Sequence, residues 1–177
     1  MNTKTMARCA IFAALLCISA WLCIPFGDIT FTMQTFSLFL TLLLLGGKQG
    51  SLVCLIYLLL GIVGLPVFSG FRGGLGILVG TTGGYIAGFL AAALTYWIIT
   101  ALFGFRFPVK LLACIAGLLV CYLFGTFWFS ANYLQGGEGL GFTAIIAKCV
   151  LPYLLPDGIK LAFALLAAAK LKRFLPA

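Results

Sequence analysis

The chain has 177 residues, 64% of them apolar, with 11 Lys and Arg against 3 Asp and Glu and no His. A soluble domain carries about 25% charged residues to cover its outside; this chain has 8%, and so much apolar content also excludes disorder. What remains is an all-α integral membrane protein: a crossing helix takes about 20 apolar residues, so the chain suits a single transmembrane domain of six helices.

The first span is predicted over residues 6–25. Lys4 and Arg8 before an apolar run give it the look of a secretory leader, but no small-x-small cleavage site follows, so it is read as a retained helix. Ala10 and Ala14 sit four residues apart, forming a small face that another helix can approach closely in lipid. Spacing alone leaves open whether that helix lies inside the bundle or in a partner subunit. The loop FGDITFTMQT then brings Thr32 and Gln34 to the start of a short second span over 36–46, which ends in the turn GGKQG. A third span over 51–65 runs into the Gly-rich loop PVFSGFRGGLG at 66–76. The fourth span is predicted over 78–103, with Gly80, Gly84, Gly88 and Ala92 at four-residue intervals on one packing face. After the turn FRFPVK, a fifth span covers 110–131 and leads to NYLQGGEGLG. The stretch 142–174 is too long for one crossing at about 1.5 Å per residue. It is divided into an interfacial helix over 142–154 and a sixth span over 157–172, with Pro156 in a first turn, where its missing N–H is no loss.

The charges agree with an even number of crossings. With both termini cytoplasmic, the inner side holds Lys4, Arg8, Lys48, Arg106, Lys110, Lys170, Lys172 and Arg173. The outer half holds Arg72, Lys148 and Lys160 with all three acids, Asp28, Glu138 and Asp157. That is the positive-inside bias of a membrane protein, so the basic excess does not point to nucleic acid. The seven cysteines, Cys9, Cys17, Cys23, Cys54, Cys114, Cys121 and Cys149, include no C-x-x-C and read as small packing residues.

Several chemistries are excluded. No G-x-x-x-x-G-K-[ST] occurs, so the chain has no recognisable ATP site of its own. The third Gly of GGLGILVG comes one position late for a dinucleotide fingerprint, and no His is present to activate Ser69. No catalytic residue, metal or cofactor is expected, and the chain is not read as an enzyme. Two groups of residues can hold a ligand. Asp157 and Lys160 stand at i, i+3; an intramembrane charge costs roughly 2.5–3.5 kcal/mol, so the pair either steadies the start of the last helix or forms the polar end of a cavity. The loop and start of the fourth helix offer Thr82, Gly83 and Gly84 as a backbone platform, Tyr85, Phe68 and Phe71 as stacking surface, and Arg72 as a cation facing ligand or lipid. Gln34 and Thr32 add an amide and a hydroxyl.

The run YLLLGIVGLPVFSGFRGGLGILVGTTGGYIAGF, together with IPFGDITFTMQT and PDGIK in the same order, resembles the BioY family, the biotin-binding S components of energy-coupling-factor transporters. One departure is Thr81, where the family usually has Pro. The resemblance implies six helices with cytoplasmic termini, and high-affinity capture of biotin from outside. It also implies partnership with a membrane-embedded T subunit and two ATPases, with the Ala10 and Ala14 face docking on the T subunit. Biotin would set its ureido N–H donors against Asp157 and a carbonyl or carboxylate against Lys160, with Tyr85 and Gly84 beside its fused rings. The loop 66–76 is expected to close over it. Two other readings are an S component for another vitamin and a small stand-alone channel; clustering of polar residues in the outer half favours a closed site over a pore.

Overall fold

The computed structural model describes residues 2–25, 30–134 and 142–172. Asp28, Glu138 and Arg173, named above for the charge distribution, lie outside them. The described elements are α1 (Thr3–Trp21), β1 (Cys23–Ile24), β2 (Phe31–Thr32), α2 (Gln34–Leu45), α3 (Gly47–Ile62), α4 (Leu75–Val79), α5 (Gly83–Phe103), α6 (Phe107–Leu134), α7 (Phe142–Cys149) and α8 (Leu151–Leu171). The molecule is thus an all-helical membrane bundle; the two-residue strands pair antiparallel, Cys23 with Thr32 and Ile24 with Phe31.

Four helical stretches among the described residues are long and apolar enough to cross a membrane: Thr3–Trp21, Gly83–Phe103, Phe107–Asn132 and Ala144–Leu171. The helices α2 and α3, of 12 and 16 residues, are apolar but shorter. Almost all of α2 from Ser37 to Leu43 is buried, as expected of a helix that is apolar on every side; it packs on α1, α3 and α8. Its 12 residues rise only about 18 Å against about 30 Å of hydrocarbon. Its polar first turn is therefore enclosed by the bundle, with Gln34 buried.

The small-residue stripe packs α5 on α6. A Cβ on Gly84 would fall 2.2 Å from Trp128 Cβ, and one on Gly88 would fall 2.8 Å from Cys121 Sγ. From the other side, Gly117 approaches the Ala92 carbonyl and Gly125 the Tyr85 ring, with 2.9 and 2.2 Å left for a Cβ. Gly80 stands outside α5. The expected single helix over 78–103 is interrupted there: Gly80 is extended, and Gly83 turns so tightly that a Cβ would lie 1.8 Å from the Leu78 carbonyl oxygen. In α1, Cys9, Phe12, Ala13, Leu16, Cys17 and Ala20 face the core, whereas Ala10 and Ala14 are exposed.

The division of the last stretch also differs from the expected one. The break falls at Val150 (φ −120°, ψ −53°), and α8 starts at Leu151 with Pro152 in its first turn. Pro152 is the proline that begins the helix. Pro156 lies within α8, where it withholds one backbone donor but does not end the helix. Residues 151–154, assigned above to an interfacial helix, are the first turn of α8, and this extension raises Tyr153 onto the same helix as Asp157 and Lys160.

Candidate functional site

A cavity opens above the first turn of α2, between the beginnings of α5 and α8 and the middle of α6. About 700 Å³ of space lies between its walls, the open mouth included. One wall is apolar, formed by Ile86 and Phe89 of α5 with Leu118 and Cys121 of α6. The opposite end is polar: Thr32, Gln34 and Thr35 at the start of α2, Tyr122 of α6, and Tyr153, Asp157 and Lys160 of α8. Thr30, Ser69, Thr82, Tyr85 and Cys149 complete the lining.

Asp157 and Lys160 are 4% and 5% exposed, so their charges depend on each other and on neighbouring dipoles. Lys160 Nζ lies 2.8 Å from Asp157 Oδ1, 3.0 Å from Thr35 Oγ1 and 2.7 Å from the Thr32 carbonyl oxygen. An ammonium has three N–H donors, and all three are engaged. The same group sits 3.9 Å above the centre of the Phe31 ring, a cation–π contact. Asp157 also accepts from Thr35 Oγ1 at 2.8 Å and, on Oδ2, from the Tyr122 hydroxyl at 2.5 Å. A carboxylate has about four acceptor positions; the bonds named here, among the described residues, take three and leave one on Oδ2. Beside this pair, Gln34 is fixed from both ends. Its Nε2 donates to Tyr57 Oη at 2.6 Å, and its Oε1 accepts from Thr32 Oγ1 at 3.2 Å.

The strand pairing and α2 start make this arrangement possible. The β1–β2 ladder holds Thr32 next to Cys23, and Met33 N–H donates to the Leu22 carbonyl at 3.2 Å. The Thr32 carbonyl is thereby presented to α8 and not to water. Six of the residues singled out in the sequence, Asp157, Lys160, Gln34, Thr32, Thr82 and Tyr85, line one cavity. The others do not. Gly84 lies under Trp128, and Gly83 against Leu78. The N–H groups of Gly83 and Tyr85 are used within their own turn, donating to Gly80 and Thr82 carbonyls at 3.1 Å each. Phe68 is fully buried, its ring filling the space over Gly61 and meeting Tyr57 edge-on at 5.5 Å. Arg72 is exposed and donates from Nε to the Ser69 carbonyl at 3.2 Å.

Sequence reasoning missed Thr35, Tyr122 and Tyr153. Tyr122 stands in the apolar run LLVCYLF, where its one signal is general: a buried tyrosine hydroxyl finds a partner. The Gly-rich loop is clasped to α1. Phe71 stacks on Trp21 at 5.0 Å, and Trp21 Nε1–H donates to the Pro66 carbonyl at 2.8 Å. Phe71 has φ 56°, a left-handed backbone that bulky residues rarely adopt.

Comparison with known proteins bears on all of this. A family model described as the BioY family matches residues 1–177. The chain is similar to the biotin transporter BioY of Thermotoga maritima, with 37% identity over 172 residues and 96% of each chain covered. It is also similar to a probable biotin transporter BioY of Pyrococcus horikoshii, with 37% identity over 173 residues, covering 97% of this chain and 98% of the other. Among solved structures, it superimposes on the S-component for biotin from an ECF-type ABC transporter with a TM-score of 0.82. That match covers 98% of this chain and 95% of the other at 24% identity, and it supports the fold.

Proposed function

The chain belongs to the BioY family, and from that premise we propose that it binds biotin with high affinity as the S component of an energy-coupling-factor vitamin transporter. It is a multi-pass protein of the cell membrane and a transport protein, not an enzyme. The observation that carries the biotin reading is the asymmetry of the cavity: an apolar wall on α5 and α6 faces a buried Asp157–Lys160 pair that keeps one carboxylate acceptor position open. Biotin has the matching asymmetry, a ureido ring with two N–H donors and a carbonyl fused to an apolar thioether ring.

The hydrogen-bond inventory refines the roles of the pair. The open acceptor position on Asp157 Oδ2 suits one ureido N–H. Lys160 has no free donor, so it reaches a ligand oxygen only by giving up one of its present bonds, to Thr32 or Thr35. The amide of Gln34, already oriented by Tyr57, retains a second N–H for the same oxygen. Phe89 and Tyr85 flank the rings.

Partners are part of the proposal. Ala10 and Ala14 lie on an exposed face of α1 with Ile11 and Ile18, which supports docking of that face on a T subunit; two ATPases then supply the energy. The turn carrying Lys48, the turn with Arg106 and Lys110, and the end of α8 with Lys170 and Lys172 share one end of the bundle, which supports cytoplasmic termini. The loop 66–76, which contributes Ser69 to the cavity, serves as the lid.

The test is a biotin titration of the purified protein without partners, followed by Trp21 and Trp128 fluorescence and by calorimetry. Saturable one-to-one binding is expected at nanomolar concentration. Asp157→Asn and Lys160→Ala are each expected to weaken it at least tenfold, about 1.4 kcal/mol. Folded protein that ignores high-micromolar biotin, or keeps its affinity in both variants, would overturn the assignment.

A further inference from the structure

Two aromatic residues bear on the cavity without lining it. Tyr57 on α3 and Phe68 in the loop that follows are both fully buried. Phe68 reaches its place because the loop doubles back on itself. Its N–H donates to the Arg72 carbonyl at 2.9 Å, and the Gly74 N–H donates to the Gly61 carbonyl at 2.7 Å. The Phe68 ring thereby lies on Gly61, where a Cβ would fall inside it. Gly61 stands one turn after Tyr57 on the same face of α3, so the ring also meets Tyr57 edge-on, with centroids 5.5 Å apart and planes at 77°. Ser69, the next residue of the loop, lines the cavity. At its other end, Tyr57 Oη accepts from Gln34 Nε2 at 2.6 Å, while Thr32 Oγ1 donates to Gln34 Oε1 at 3.2 Å. The terminal torsion of a glutamine is broad and soft, so these external bonds decide how the amide stands in the cavity that Gln34 lines.

Resting on the biotin reading above, we propose that Tyr57 and Phe68 are positioning residues for biotin capture. Phe68 wedges the Tyr57 ring in place, and the Tyr57 hydroxyl holds the Gln34 amide ready for the ureido oxygen of the ligand. Part of the affinity then comes from preorganisation, since an amide already fixed loses little freedom when the ligand arrives. The same contacts join the loop to recognition of the ureido ring. A loop that seats Phe68 steadies Gln34, and by reciprocity a ligand held by Gln34 steadies the loop.

The experiment is a double-mutant cycle read by calorimetric titration with biotin, with a thermal melt of each variant in the absence of ligand. Tyr57→Phe removes the hydroxyl and keeps the ring; it should weaken binding about three- to tenfold, the size of one oriented hydrogen bond. Gln34→Ala should weaken it by a similar factor. In the Gln34→Ala background, Tyr57→Phe should change affinity by less than about twofold, because the group it positions is gone. Phe68→Leu keeps the slot apolar but loses the edge-on contact. It should weaken wild-type binding at least about threefold and the Gln34→Ala protein by less than about twofold. Equal factors in both backgrounds would overturn the proposal, since a residue that only supports the fold weakens binding whether or not Gln34 is present. So would a Tyr57→Phe protein with a lowered melting temperature and wild-type affinity. Should Gln34→Ala not fold, Gln34→Met, closer in shape, takes its place in the cycle. Wild-type protein that ignores biotin overturns the biotin reading and the positioning role together; wild type that binds, with additive losses in the cycle, overturns the positioning role alone.

Discussion

Lys160 and Asp157 were legible as residues because charge inside an apolar chain is rare and costly. Their supporters were not. Thr35 is the second residue of an apolar helix, and Tyr122 lies 35 residues away from Asp157 in sequence; nothing local marks either as a donor to a buried carboxylate. The network has consequences for both stability and binding. Removing one partner of a buried ion pair leaves the other uncompensated, at a cost of about 3–5 kcal/mol, so Lys160→Ala should lower the melting temperature as well as biotin affinity. Tyr122→Phe removes one hydrogen bond to a charged acceptor, a contribution of about 1.5–3 kcal/mol. It should lower the melting temperature less than Lys160→Ala does, and should shift biotin affinity because Oδ2 loses its orienting donor. A Tyr122→Phe protein identical to wild type in thermal melt and titration would remove Tyr122 from the site.

Spacing in the sequence identified a small-residue face on the fourth helix, but spacing cannot say what covers it. The structure supplies Trp128, Cys121 and the opposed Gly117 and Gly125 of α6. Side chains larger than hydrogen have no room in that seam, so Gly84→Leu should destabilise strongly, by displacing Trp128 and breaking its hydrogen bond to the Gly80 carbonyl at 3.0 Å. Thermal denaturation with and without biotin would measure it, and an unchanged midpoint would contradict the close approach of α5 and α6. Helix ends were harder to read. Two prolines competed for the start of α8, and sequence reasoning chose Pro156, although Pro152 sits in the first turn. The loop between α3 and α4 has its own element-scale test. It is clasped by Trp21 and Phe71, so if it is a lid, biotin should slow proteolytic nicking between Ser69 and Gly74, and Trp21→Ala should restore fast nicking. Equal rates with and without biotin would remove the lid role.

At the scale of the molecule, composition alone led to a helical membrane bundle, because about two-thirds apolar residues leave no soluble alternative. The grouping of residues from α2, α5, α6 and α8 into one cavity was not accessible, since it depends on which helices become neighbours. Of the sequence-derived candidates, those on the inward faces of α2, α5 and α8 came together. Phe68 and Arg72 did not: one became core and the other surface.

The shortness of α2 and α3 reaches beyond the site. At about 24 Å, α3 falls short of a bilayer core of about 30 Å. Its exposed face, with Leu55, Leu59 and Ile62, meets lipid directly, so the membrane on that side is thinned by hydrophobic mismatch, at fractions of a kcal/mol per Å. The flank formed by the 28-residue α6 is long enough to need no such thinning, so the bilayer is expected to differ in thickness between the two flanks. Thicker membranes should penalise this protein from one flank only. Reconstitution in phosphatidylcholines of increasing chain length should show the melting temperature highest in short-chain lipid and falling as the chains lengthen. A flat response would mean that the bundle tilts to match α3 to the bilayer.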